Sequence, residues 1–109
     1  MFARIVTMKL KVNSTDEFSR LIDSEILPLL RKQKGFRDEI TFVSPDRARA
    51  VGISLWNTKE DAVAYKGTGY PEVLKALAKV LKGKPTVETF EVANSTLHKL
   101  TAKAAAKTA

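Results

Sequence analysis

The sequence predicts a single α+β domain whose elements follow the order βαββαβ, and three observations carry that prediction. Residues 2–12 alternate apolar and polar side chains at the period of a strand. Residues 18–30 carry an apolar stripe at the period of a helix. A short Ser44-Pro45-Asp46 link then joins two further alternating segments. At 109 residues the chain has room for one core and not two.

In the first segment Val6, Met8, Leu10 and Val12 share one face, and Thr7, Lys9 and Lys11 share the other, which describes a half-buried strand. Asn13 to Glu17 reads as a turn into a helix, with Ser14 and Glu17 spaced as a capping box. Phe18, Leu21, Ile22, Ile26, Leu29 and Leu30 form the helix stripe. Pro28 lies inside it and has no N–H for the Ser24 carbonyl, so a kink is expected near residues 24–28. Gly35 is placed to end the helix in a left-handed conformation.

The next two strands span Phe36 to Val43 and Ala48 to Asn57, as an antiparallel hairpin. Alternation puts Phe36, Ile40 and Phe42 on one face of the first, and Val51, Ile53 and Leu55 opposite Gly52, Ser54 and Trp56 in the second. Thr58 and Asp61 are spaced to cap a second helical region, which breaks at Lys66 to Tyr70. It resumes at Pro71 with Val73, Leu74, Leu77 and Leu81 as its buried stripe, and Gly83 closes it. Thr86 to Ala93 is the fourth strand. The domain is drawn at residues 1–95. The low-complexity stretch 102–109 leaves 96–109 as a C-terminal tail, expected to be flexible.

This is the ferredoxin-like arrangement, an antiparallel four-stranded sheet with two helices on one face. Two helices leave the other face bare, and alternation assigns Thr7, Gly52, Ser54, Trp56 and Phe90 to it. A partly apolar bare face predicts a homodimer through the sheet.

The composition narrows function by exclusion. There is no cysteine, so disulfides, thiolate metal sites and cysteine nucleophiles are out. The first twelve residues hold no continuous apolar run, and no stretch is long enough for a membrane helix, so a soluble cytoplasmic protein is expected. The net charge of +7 is spread along the chain. Its densest cluster, Arg31 to Lys34, sits where cations complement a helix C-terminus.

The segment Gly35-Phe36 through the hairpin to Ser54-Leu55-Trp56-Asn57-Thr58-Lys59-Glu60-Asp61-Ala62 resembles the antibiotic biosynthesis monooxygenase superfamily, in order and spacing across residues 2–93. The resemblance implies a dimeric α/β barrel of two sheets face to face. It also implies either oxidative haem degradation or cofactor-independent oxygenation of polyaromatic molecules. The haem activity resembles one built on an Asn-Trp-His set. The matching positions here are Val6-Thr7-Met8, Tyr65 and Lys75, so that activity does not carry over.

What remains is a monooxygenase-like protein acting on a small aromatic or quinone-type molecule, with no cofactor and no metal. The alternative is a non-catalytic barrel that binds a small ligand or only assembles. Trp56, Tyr65, Tyr70 and Phe42 are the candidate walls of an apolar cleft, with Arg4 or Thr7 as donors to an anion. Trp56 equally suits a core or interface, and the two tyrosines equally plug the end of the core. His98, the only histidine, has no foreseeable carboxylate partner. Asp38 and Glu39 are adjacent in a strand and point to opposite faces; Asp38 becomes a candidate base only if it shares the face of Ile40 and Phe42. Lys66-Gly67-Thr68-Gly69-Tyr70-Pro71 follows a helix rather than a strand, which argues against a phosphate loop. An RNA-recognition strand motif is missing, so no nucleic-acid partner is expected.

Overall fold

The computed structural model describes residues 1–98; residues 99–109, and with them most of the expected tail, lie outside the described residues. The elements are β1 (Phe2–Leu10), α1 (Thr15–Leu21), a π-helical turn (Ile22–Ile26), α2 (Leu27–Arg31), β2 (Phe36–Val43), β3 (Arg49–Trp56), α3 (Lys59–Thr68), α4 (Tyr70–Leu77) and β4 (Leu81–Glu91). All strand pairs are antiparallel, in the order β2-β3-β1-β4. The helices pack on one face, giving the ferredoxin-like α+β fold.

The kink takes the form of a π turn. Leu27 donates its N–H to the Ile22 carbonyl five residues back, just ahead of the proline that cannot extend an ordinary ladder. The expected capping box does not form. Ser14 makes no side-chain cap, and Glu17 instead pairs with Arg20 and, at 3.2 Å, with Lys79 beyond α4. Those two cations hold the Glu17 carboxyl down at about 2. Thr58 does cap α3, accepting from the Asp61 N–H at 3.1 Å.

The second helical arm stops sooner than its apolar stripe suggests. Helix α4 ends at Leu77, and Leu81 already pairs with Leu10 as the first residue of β4. Gly83, at φ 66°, serves a bulge in that edge strand rather than a helix end. A leucine four residues beyond Leu77 suits a helix face and a strand start equally well.

Sheet β2 carries the largest departure from simple alternation. Phe36 pairs with Trp56, whereas Asp38 pairs with Leu55, so Arg37 is an extra residue in a bulge. The bulge inverts the phase of the strand. Phe36 packs inward, and beyond it Glu39 and Thr41 point inward while Asp38, Ile40 and Phe42 point out.

The register corrects the expected bare face. Gly52, Ser54 and Trp56 lie under the helices, in register with Val6, Arg4 and Phe2, and Trp56 is fully buried. The outer face carries Thr7 and Phe90 as expected, but with Ile5, Ile40, Phe42, Val51, Ile53 and Leu55. A period of two sorts residues into two sets without saying which set the helices cover.

Two glycines at the joint between α3 and α4 make opposite predictions. A Cβ on Gly67 meets open space, but one on Gly69 would lie 2.8 Å from the Tyr65 ring. Gly67→Ala is expected to stabilise the fold by about 0.5–1 kcal/mol in urea unfolding, and Gly69→Ala to destabilise it. Equal effects of the two changes would contradict the close approach at Tyr65.

Candidate functional site

Between the sheet and the helices lies a half-open cavity of about 60 Å³. Its floor is the inner face of the sheet: Arg4, Val6 and Met8 from β1, Gly52 and Ser54 from β3, and Glu39 and Thr41 from β2. Ile22, Ile26 and Leu30 form one wall, and Tyr65, Tyr70, Val73, Leu74 and Leu77 the other. The space exists because the central strand carries a glycine and a serine where a large side chain would fill it. The π turn bounds it too, since Ile22 and Ile26 are the first and last residues of that turn.

The floor holds one polar row. Thr89, Arg4, Ser54 and Glu39 stand side by side across β4, β1, β3 and β2. Arg4 and Glu39 are therefore two strand spacings apart, about 10 Å between backbones. Their opposite charges make no ion pair.

Arg4 is only 3% exposed, and its Nε and Nη2 have no hydrogen-bond partner among the described residues. Its guanidinium carbon lies 4.6 Å from the Tyr70 ring centroid and 5.3 Å from that of Tyr65. These cation–π contacts offset part of the cost of burial. Burial lowers the Arg4 pKa from its ordinary value, and the two tyrosines act in the opposite direction. An arginine stays charged even so. Burial likewise pushes both tyrosine hydroxyls up, so each remains a neutral phenol.

Across the row, burial raises the Glu39 carboxyl, and a hydrogen bond from the Thr41 hydroxyl (2.7 Å to Oε2) works against that rise. Trp56 does not line the cavity. It stacks behind Tyr65 at 4.7 Å between centroids, meets Phe36 edge-on at 5.6 Å, and donates its indole N–H to Ser54 Oγ at 2.9 Å. Its role is to hold the Tyr65 ring and the Ser54 hydroxyl.

Of the six residues singled out in the sequence, Arg4, Tyr65 and Tyr70 converge on the cavity and Trp56 backs them. Thr7 and Phe42 do not reach it; both point from the outer face, Phe42 because of the bulge at Arg37. Glu39 was missed, and only the bulge would have revealed it as the inward carboxylate. Asp38 does share the face of Ile40 and Phe42, but on the outside, where its Oδ2 contacts His98 Nε2. Arg37 completes that cluster by donating to His98 Nδ1 at 3.2 Å. Among the described residues no three His, Cys, Asp or Glu side chains are placed to hold a metal ion, and no helix is long and apolar enough to cross a membrane.

The fold is shared with solved structures named as putative antibiotic biosynthesis monooxygenases. Among solved structures it is similar to a monooxygenase from the gene ActVA-Orf6 of Streptomyces coelicolor, in complex with nanaomycin D. The TM-score is 0.73 at 19% identity, covering 90% of this chain and 92% of that one. It is also similar to SnoaB, a cofactor-independent oxygenase from Streptomyces nogalater, with a TM-score of 0.71 at 13% identity, covering 89% and 97%. A protein of unknown function from Nitrosomonas europaea aligns with a TM-score of 0.73 at 19% identity, covering 93% and 94%. At these identities the likeness is one of fold. No family model and no curated protein matches the sequence.

Both buried charges should cost stability in the free protein. Arg4→Met is expected to raise stability by about 1 kcal/mol, the relief of unpaired N–H groups exceeding the lost cation–π contacts; a large loss on thermal melting would instead mean that the guanidinium supports the fold. For Glu39 the raised pKa means that the folded state holds the proton more tightly than the unfolded chain. Its stabilising effect is present at low pH and lost as pH rises through the raised value. Glu39→Gln should therefore melt higher than wild type at pH 8, with the difference shrinking toward pH 4.

Proposed function

We propose that this protein binds a small planar aromatic molecule as an anion in the cavity beneath the helices, and that it oxygenates that molecule without a bound cofactor. The observation that carries the reading is the buried, unpaired guanidinium of Arg4 at the edge of an apolar, aromatic-walled space. A cation so placed lacks an anion, and the tyrosine walls fit a flat ring. The fold shared with a cofactor-independent oxygenase supports the second half of the proposal.

The residues divide the chemistry between them. Arg4 holds the substrate's negative charge, Tyr65 and Tyr70 flank its ring, and Glu39 is the proton acceptor, made more basic by its burial. Loss of the phenolic proton to Glu39 makes the para ring carbon electron-rich. That carbon passes electrons to dioxygen and forms a C–O bond, giving a hydroperoxide. Glu39 supplies the hydroperoxide proton and then removes the hydrogen from that carbon as a proton. The O–O bond breaks, the departing hydroxide takes that proton from Glu39 to leave as water, and the carbon becomes a carbonyl. One hydroxyarene and one dioxygen thus give one quinone and one water, and the substrate supplies all four electrons.

The working unit is a homodimer. The outer sheet face exposes Phe42 by 52% and Phe90 by 49%, around Ile5, Val51 and Ile53. Along the strands it runs from a cationic row, Arg49-Lys9-Lys82, toward Glu88 and Asp38. A second copy packed in the opposite sense sets the cations of each against the acids of the other.

Oxygen uptake across a panel of anthrones and hydroxynaphthalenes tests the activity. The expected result is consumption matching quinone formation one to one, reduced at least about 100-fold by Glu39→Gln. Binding with no uptake across the panel would reject the enzyme reading in favour of a ligand-binding protein. Sedimentation velocity tests the assembly: wild type should run as a dimer and Phe42→Glu as a monomer, and a monomeric wild type would reject it.

A further inference from the structure

Which chemical group meets Arg4 follows from how its unpartnered nitrogens are arranged. Nε and Nη2 form one edge of the guanidinium, with two N–H bonds directed nearly parallel and in the plane of the group. Neither has a partner among the described residues and both are enclosed, whereas Nη1, equally without a partner there, keeps some accessible surface. The tyrosines lie within cation–π distance and accept no hydrogen bond from this edge. We infer that the ligand carries a carboxylate, whose two coplanar oxygens are received side-on by the Nε–Nη2 edge of Arg4, so that the substrate class is an aromatic carboxylic acid. The inference rests on the anion-binding reading above and adds the group that does the anchoring.

Three features of the cavity favour a carboxylate over other anions. Among the described residues Arg4 is the only cation lining it, which matches a single negative charge; the second charge of a phosphate would go unmet there. Glu39 lies on the same floor and disfavours a dianion further. A single phenolate oxygen would satisfy one N–H well and leave its neighbour buried without a partner, at a cost of about 1–3 kcal/mol. A carboxylate at Arg4 also lays the attached ring over Ser54 and Gly52, the two smallest residues of the floor, with its far side toward Glu39. The cavity is half-open, but the enclosed Nε–Nη2 edge of Arg4 is reached only when a covering side chain swings aside. Tyr70 is the one to move, being less buried than Tyr65.

Calorimetric titration of the full chain at pH 7 with 2-naphthoate, 2-naphthamide and 2-naphthol separates charge, shape and ring. Naphthoate should bind at least about tenfold tighter than either neutral analogue, and Arg4→Met should abolish that preference. Arg4→Lys keeps the charge but loses the fork, so naphthoate affinity should fall about tenfold or more. In wild-type protein the Arg4 Nε–H resonance should shift downfield with naphthoate and not with naphthamide, a readout independent of whether a variant folds. Equal affinity for the three probes, or undiminished binding by Arg4→Lys, would overturn the carboxylate. Tight naphthoate binding with no oxygen uptake from any hydroxyarene would leave the carboxylate standing and reject only the oxygenase chemistry.

Discussion

A guanidinium enclosed in a protein without a carboxylate beside it has to be supported by everything around it, and Arg4 sets that requirement here. An unpaired buried charge is tolerated only where the surrounding packing leaves it no route to water or to a partner. Arg4 sits on an inner strand, β1, between β3 and β4, so its backbone is held on both sides. Its side chain meets the tyrosines of the second helical arm. Those rings are themselves held, Tyr65 by its stack on Trp56 and by the missing side chain at Gly69. Trp56 in turn is fixed by Phe36 and by Ser54. The support for one cation therefore runs through the second helical arm and three strands.

The same elements keep the cavity open. A sheet covered by helices ordinarily fills its inner face with branched and aromatic side chains. Here the central strand presents Gly52 and Ser54 inward, and its large residues either face out, as Ile53 and Leu55 do, or sit at the end, as Trp56 does. Stability is drawn instead from the ends of the layer, where Phe18 and Trp56 are fully buried. The middle of the inner face is given over to space and two charges.

The architecture was legible in the sequence because each element carries its own periodic signal. The βαββαβ order, the kink ahead of Pro28, the turn at Gly35 and the Thr58 cap all come from local chemistry that acts within a few residues. Facing was not legible. Alternation separates Ile53 from Ser54 but gives no sign of which one the helices cover, and the small residues look like solvent-side positions until they are seen as the floor of a cavity. The bulge at Arg37 carries no composition signal, yet it decides that Glu39 points in and Phe42 points out. The contact of His98 with Asp38 joins residues sixty positions apart, beyond the reach of any spacing rule. Tyr65 and Tyr70 were visible because they bracket a helix break. Arg4 was legible only as one of two candidate donors to an anion, with Thr7 as the other.

The separation of the two charges is itself a product of the sheet. Were Arg4 and Glu39 on flexible segments, they would close into an ion pair, and the cavity between them would lose its polarity. Strand pairing forbids this. Ser54 is hydrogen-bonded into the ladder between them, so the backbones of Arg4 and Glu39 stay two strand spacings apart whatever their side chains do. Their side chains are further restrained, Glu39 by the Thr41 hydroxyl beside it on the same strand and Arg4 by the tyrosine rings. A cation and a carboxylate held apart across an apolar floor form a fixed dipole. In the proposed reading an anion would complete the cation's side and leave the acid to take up a proton on the other. That asymmetry follows from a glycine, a serine and one extra residue in β2.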